Sequence, residues 1–181
     1  MQEIEIKFQV NNLDVIKENL LRLGCEFSEE LNQKDTVFVP DINDTSNQEG
    51  KQFIRIRNVN EKTELNLKQQ SKKIMQSKEI EFEVSDFDAA YDFLDTLGLD
   101  EWVTVEKKRI TTKYKEFNIC IDEVKRLGEF IEIEIVTPEE DQTDYYEEEI
   151  VKVAKELGIN PDQRINNFYD TMISELNEKE Q

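Results

Sequence analysis

The sequence predicts an α+β fold in which about eight strands, mostly joined by hairpins, carry three or four helices. Antiparallel strands in that number close into a barrel or pack as two sheets. Two observations predict this. A weak internal repeat joins an alternating Glu-x-Glu strand to a helical pattern ending in Leu-Gly, and it occurs three times. Between the repeats lie further period-two segments separated by short polar turns.

The first repeat opens on Glu3-Ile4-Glu5-Ile6 and ends at Gly24. The second opens on Glu79-Ile80-Glu81-Phe82 and ends at Gly98, the third on Glu132-Ile133-Glu134-Ile135 and ends at Gly158. A glycine just past a helix suits the left-handed turn that stops it. Asn12, and Ser85 or Asp86, have side chains suited to cap the first two helices. Residues 26–39 hold a strand, strongest around Thr36 and Phe38, and residues 40–51, rich in Asp, Asn, Ser and Gly, are expected to form a mobile loop. Residues 53–59 and 63–68 form a hairpin turning at Asn60-Glu61-Lys62. Residues 102–114 and 117–124 form a second, turning near Lys115-Glu116, and Arg126-Leu127-Gly128-Glu129 then turns into a strand over 130–136. Beyond Asn160-Pro161 an amphipathic helix at about 161–178 carries Phe168, Tyr169, Met172, Ile173 and Leu176. The 181 residues fit one domain with a helical tail.

Composition narrows the function. The net charge of −19 repels nucleic acid and anionic membrane, so neither is an expected partner. An anion would need locally concentrated positive charge and help from divalent cations. The absence of histidine removes serine–histidine and cysteine–histidine hydrolases and histidine-ligated zinc. Cys25 and Cys120 alone suggest neither a zinc site nor a disulfide framework, which makes a reducing cytoplasm the expected location. MQEIEIKF has no signal-peptide pattern, and no run of about 18 apolar residues is present to span a membrane.

Strand periodicity separates the charges from the apolar residues. Glu3, Glu5 and Lys7 lie opposite Ile4, Ile6 and Phe8; Arg55 and Arg57 opposite Ile54 and Ile56; Asn66 and Lys68 opposite Leu65 and Leu67. Glu79, Glu81 and Glu83 lie opposite Ile80, Phe82 and Val84; Lys107, Arg109 and Thr111 opposite Lys108 and Ile110; Glu132 and Glu134 opposite Ile131, Ile133 and Ile135. The plain alternative is a half-wet sheet whose charged face meets solvent. Against it, whole strands are single-signed, and like charges side by side are unfavourable without compensation. If helices cover the apolar faces, the charged faces converge and need counter-ions. Carboxylate pairs suit Mg²⁺ or Mn²⁺, and arginine and lysine rows suit phosphate oxygens. A magnesium–polyphosphate ligand satisfies both.

These residues resemble the CYTH superfamily, the triphosphate tunnel metalloenzymes. The Glu3-x-Glu5-x-Lys7 start resembles its signature. Gln33-x-Asp35-x-x-Phe38, Arg55-x-Arg57, Lys68, Glu79-x-Glu81 and Lys107-x-Arg109 follow in the family's order. Ile121-Asp122-Glu123-Val124 through Leu127-Gly128-x-Phe130-x-Glu132-x-Glu134 resembles the class IV adenylate cyclase branch, as do Arg164 and Phe168-Tyr169, about a residue off in spacing. The resemblance implies a closed eight-stranded antiparallel β-barrel, a tunnel with helices packed outside. It implies an enzyme that cyclises ATP to cyclic AMP and pyrophosphate, or a triphosphatase acting on thiamine triphosphate, tripolyphosphate or a nucleoside triphosphate.

By the same resemblance Glu3, Glu5, Glu132 and Glu134, with Asp122 near them, are metal ligands for Mg²⁺ or Mn²⁺. Lys7, Arg55, Arg57, Lys68, Lys107 and Arg109 form a triphosphate clamp. Glu79 and Glu81 reach a metal through water or pair with the basic rows. Lys7, Arg57, Lys107 and Glu81 are the expected catalytic set. With no histidine, a carboxylate or a second metal ion must activate the nucleophile. A non-catalytic triphosphate-binding module is the competing function, and a homodimer is left open. Gln33 and Asp35 are weaker site candidates, and the plain alternative for Asp35 is a hydrogen bond to a loop. Trp102, Tyr114, Tyr145 and Tyr146 are expected to pack rather than stack a base. The acidic run 139–149 and the Lys72-Lys73-Lys78 cluster are expected to be solvated.

Overall fold

The computed structural model describes residues 2–41, 52–60, 62–70, 77–137 and 142–180, with backbone alone at 2, 52, 68–70 and 77–79. The loop at 42–51, the side chains of Lys68, Lys78 and Glu79, the Lys72-Lys73 pair and the first residues of the acidic run, 139–141, lie outside the described residues. Nine strands are described: β1 (Gln2–Val10), β2 (Leu31–Val39), β3 (Gln52–Val59), β4 (Lys62–Gln70), β5 (Ser77–Val84), β6 (Asp100–Tyr114), β7 (Phe117–Val124), β8 (Gly128–Thr137) and β9 (Arg164–Ile165). Four helices accompany them: α1 (Leu13–Arg22), α2 (Phe87–Thr96), α3 (Thr143–Glu156) and α4 (Tyr169–Lys179). The class is α+β. None of the described helices is long and apolar enough to cross a membrane.

The hydrogen-bonded strand order is β5-β4-β3-β2-β6-β7-β8-β1-β9. Among the described residues this ladder is open, so the expected closed eight-stranded barrel is not what these pairs show. The extra strand comes from a long-range pairing. Arg164 and Ile165 pair with Phe8 and Lys7 and occupy the second edge of β1. The same pairing corrects the last helix, expected from about 161. Asn160 caps a 3₁₀ turn at Pro161–Gln163, β9 follows, and α4 starts only at Tyr169.

The chain divides into two compact units, Met1–Leu31 with Lys108–Asn166, and Asn32–Lys107 with Asn167–Gln181. In the first unit, β1 pairs antiparallel with β8 and β8 with β7. Ile4, Ile6 and Phe8 share one face with Ile131, Ile133, Ile119 and Ile121, and all are buried. Onto them α1 lays Leu13, Ile16 and Leu20, and α3 lays Ile150, Val153 and Ala154. Each fully buried large aliphatic contributes about 1.5–3 kcal/mol. Asn12 caps α1, accepting from the backbone N–H of Asp14 at 3.1 Å and of Val15 at 3.3 Å. Gly158 ends α3 at φ +82°, where an added Cβ would sit 3.2 Å from Nδ2 of Asn19, whose amide donates to the Leu157 carbonyl.

In the second unit, the ladders β2–β3, β3–β4 and β4–β5 bring Ile54, Ile56 and Leu65 onto one face with Phe38. Helix α2, capped by Asp86 accepting from the Ala89 N–H at 2.7 Å, buries Leu94 against that face. Tyr91 turns one flank of α2 towards Phe38, ring to ring at 5.2 Å. The opposite flank carries Phe93 and Leu97, 60% and 62% exposed. Ile80 and Phe82, cross-strand partners of Leu67 and Leu65, are at least half exposed on β5. Helix α4 is held by Trp102, whose Nε1–H donates to Ser174 Oγ at 3.1 Å and whose ring stacks on Phe53. Tyr145 is exposed and meets Tyr146 edge-on.

Candidate active site

The face of the first unit opposite its apolar core is charged and enclosed. Register places Glu5 across from Glu134 and Lys7 across from Glu132, with Cys120 beyond Glu132 on β7. Lys7 is 1% exposed, Asp122 0% and Glu132 5%, which rules out the wet-sheet alternative for these residues. Lys7 Nζ lies 3.2 Å from Glu132 and 3.8 Å from Glu5. From β6, Arg109 reaches the same row. Its Nε donates to Asp122 at 2.6 Å, and one terminal N–H₂ group meets both Asp122 and Glu132. Burial alone would lower the Arg109 pKa, but the Glu132 and Asp122 charges raise it well above the ordinary value. Two buried carboxylates are thus balanced by the buried Lys7 and the half-buried Arg109, the condition under which ion pairs persist away from water.

Further along the row the balance fails. Burial pushes the Glu134 carboxyl up to about 8, and the neighbouring Glu3, Glu5 and Glu132 carboxylates push the same way against Arg109. A region where negative charges crowd until one takes up a proton is suited to a cation, and its donors are all hard carboxylate oxygens. The residues therefore fit Mg²⁺ or Mn²⁺ in kind. As the side chains stand, no three acidic or thiol groups among the described residues already meet around one point. Of the five expected ligands, Glu3, Glu5 and Glu134 form the crowded set. Asp122 and Glu132 are engaged by Arg109.

The second unit carries its own buried cluster. Asp35 stands across from Arg57 in the β2–β3 ladder and accepts a two-pronged pair from it, Nε at 2.8 Å and a terminal N–H₂ at 2.9 Å. Arg55 lies 3.6 Å from the same carboxylate. Asp35 thus meets the arginine pair rather than a loop. Burial would raise its pKa, yet the Arg57 hydrogen bonds and the charges of Arg55, Arg57 and Lys107 hold it well below the usual carboxylate range. Lys107 is buried, its Nζ 5.0 Å from the centre of the Tyr169 ring. Gln33 is also buried, and its Oε1 has no hydrogen-bond partner. Glu81 is exposed and accepts from Asn66 at 3.4 Å. Two residues outside the expected set lie beside these rows: Asn118 stands across from Glu134, and the Tyr169 ring faces Lys107. Period-two alternation from Asp122 already put Asn118 and Cys120 on the charged face, whereas nothing in the sequence pairs Tyr169 with Lys107.

Replacing Asp35 by asparagine is expected to destabilise the protein by roughly 3 kcal/mol at neutral pH, because two arginines lose their buried counter-charge. A carboxylate whose folded pKa is depressed stabilises above its unfolded value and stops doing so as pH falls through the folded one. The urea midpoints of wild type and Asp35→Asn should therefore differ most at neutral pH and converge below about pH 4.

A family model described as the CYTH domain matches residues 1–169. A protein of Methanocaldococcus jannaschii named "Putative adenylate cyclase MJ0240" is 28% identical over 171 residues, covering 93% of this chain and 97% of its own. The structure of the PH1819 protein from Pyrococcus horikoshii is 30% identical, covers 98% of this chain and 99% of its own, and superposes with a TM-score of 0.78. The Hippeastrum protein HpAC1, whose structure is described as a "putative adenylyl cyclase" with a dominant triphosphatase activity, shares the fold at a TM-score of 0.61 and 17% identity, covering 97% of this chain and 95% of its own. Members of the CYTH family are metal-dependent adenylate cyclases or triphosphatases that act on triphosphate substrates. This chain, matched by the family's model over nearly its whole length, belongs to the CYTH family.

Proposed function

We propose that this protein is a metal-dependent enzyme acting on a triphosphate, most like a class IV adenylate cyclase that converts ATP to cyclic AMP and pyrophosphate. What carries the proposal is opposite charges brought together around buried groups: Lys7 and Arg109 with the buried Glu132 and Asp122, and Arg55, Arg57 and Lys107 about the buried Asp35. Solvated faces do not need such compensation; an anion-binding interior does. Closure of the strands into the eight-stranded tunnel is part of the proposal.

Lys7, Arg55, Arg57, Lys68, Lys107 and Arg109 hold the phosphate oxygens and steady the charge that develops during transfer. Asp35 holds the Arg57 fork in place, and Glu81 acts through Asn66 as a positioning residue. Glu3, Glu5 and Glu134 would hold the divalent ion, with Glu132 and Asp122 beside them. When bound, the ion supplies charge neutralisation on phosphate oxygens. In the cyclase reaction the ribose 3′-oxygen bonds to the α-phosphorus and loses its proton, and the bond to pyrophosphate breaks. In a triphosphatase water attacks instead and orthophosphate leaves.

Product analysis after incubation with ATP, thiamine triphosphate and tripolyphosphate, each with Mg²⁺, Mn²⁺ or a chelator, tests the proposal. Cyclic AMP and pyrophosphate from ATP, lost with the chelator, are the expected result. Orthophosphate from any of the three would assign the triphosphatase alternative. Tight binding without any product would leave a binding module and overturn the enzymatic proposal.

A further inference from the structure

The apolar sheet face of the second unit is covered on one side only. Two rows of apolar side chains cross its strands. Ile56 of β3, Leu65 of β4 and Phe82 of β5 form one row; Ile54, Leu67 and Ile80 form the other. Along each row the cover thins towards β5. Ile56 is wholly buried and Leu65 half-buried, while Phe82 is 55% exposed. Ile54 and Leu67 are half-buried, and Ile80 is 50% exposed.

Helix width accounts for the gradient. A helix with its side chains is about 10–12 Å across and strands lie about 4.8 Å apart, so one helix covers about two strands. Helix α2 sits over β2 and β3, where Leu94 packs with Phe38 and Ile56. Its Tyr91 flank leans towards β2 and β6, through the Phe38 ring and a hydrogen bond donated to Glu101 at 2.7 Å. The strand order puts β4 and β5 on the other side of β3. Phe93 and Leu97, four residues apart on the opposite flank, are therefore turned towards the uncovered pair. The result is a groove about one helix wide, with Leu65 and Leu67 as its floor, Phe93 and Leu97 along one side, and Ile80 and Phe82 along the other.

Charge selects what fills it. At a net charge of −19 a second copy of the chain is repelled. Along β5, Ile80 and Phe82 alternate with the exposed Glu81 and Glu83, and the exposed Asp86 follows at the N-cap of α2. A helix seated in the groove would set its flanking side chains near these acids, where lysine and arginine are favoured. We infer that the groove docks one amphipathic helix of a partner protein, apolar along one stripe and basic on its flanks. The groove lies on the sheet face opposite Arg55 and Arg57, and the inference does not rest on the proposed activity.

The probe is a fluorescein-labelled peptide of leucine and lysine, about 18 residues long, with its leucines on one helical stripe. In buffer of physiological salt it should bind the unmodified protein roughly tenfold more tightly than a scrambled peptide of the same composition does. It should bind the Phe82→Ser/Phe93→Ser variant roughly tenfold more weakly, both side chains being more than half exposed and so dispensable for folding. Amide resonances of Ile80, Phe82, Phe93 and Leu97 should shift in ¹H–¹⁵N spectra while those of β1 and β8 stay in place. Should the variant fail to fold, the peptide pair and these shifts still decide. Absence of binding, equal affinity for the two peptides, or equal affinity for the two folded proteins would overturn the inference, the last two reducing it to charge attraction. Sedimentation of the unmodified protein in concentrated salt, where repulsion between copies is screened, should give a monomer. A dimer that the double variant dissociates would assign the groove to a second copy and overturn the inference as well.

Discussion

Glu5→Gln is expected to lower metal-dependent triphosphate turnover by about a hundredfold to a thousandfold while leaving the protein folded. Glu5 is half-buried on β1, directly across from Glu134 and one repeat from Lys7. The amide keeps the size and one acceptor oxygen but removes a charge from the most crowded part of the row. Without a cation that removal relieves repulsion, so the melting temperature should hold or rise slightly. With Mg²⁺ or Mn²⁺ the order reverses, because the wild-type carboxylate gains a ligand that the amide binds poorly. The discriminating readouts are therefore turnover and the thermal shift on adding metal, taken together. A variant with the wild-type rate and the wild-type metal shift would remove Glu5 from the metal site.

The second large effect concerns stability. Arg109→Met should cost about 3–5 kcal/mol at neutral pH, read from urea unfolding. Arg109 is the shared partner of Asp122, which is wholly buried, and of Glu132, nearly so. Methionine fills much of the space but removes the guanidinium that the two carboxylates share, while Lys7 stays 3.2 Å from Glu132. Adding Asp122→Asn should recover part of the loss. An Arg109→Met protein as stable as wild type at neutral pH would show that the buried row does not depend on this guanidinium.

Much of the fold was legible because it depends on local chemistry. The Leu-Gly endings were readable, and Gly24, Gly98 and Gly158 all adopt positive φ, as the left-handed stop requires. Asn12 and Asp86 cap their helices as their side chains suggest. The two hairpins turn where expected, at Asn60 and Lys115, both with positive φ. Alternation also told which side chains share a face. It could not tell whether that face is wet, since period two is the same in a solvated sheet and an enclosed one. Only the neighbours decide that, and burial of Lys7 and Asp122 comes from packing across strands far apart in sequence. The Asp35–Arg57 fork depends on the β2–β3 register, which no local pattern specifies. The late start of α4 follows from the pairing of Ile165 with Lys7, again a long-range event.

One feature of the second unit bears on how this protein behaves in bulk. Ile80 and Phe82 on the outermost strand, with Phe93 and Leu97 on the helix flank turned away from Tyr91, leave greasy side chains open to water. Asp88, Asp92 and Asp95 share α2 with Phe93, and Glu81 and Glu83 alternate with Ile80 and Phe82 along β5, so this part of the unit is rich in negative charge. The molecule's strong overall acidity thus acts as a colloidal shield, keeping copies apart beyond the range at which these surfaces could stick. Concentrated salt shortens that range and acid discharges it, so crowding and low pH act on dispersal of the chains before they act on the folded core.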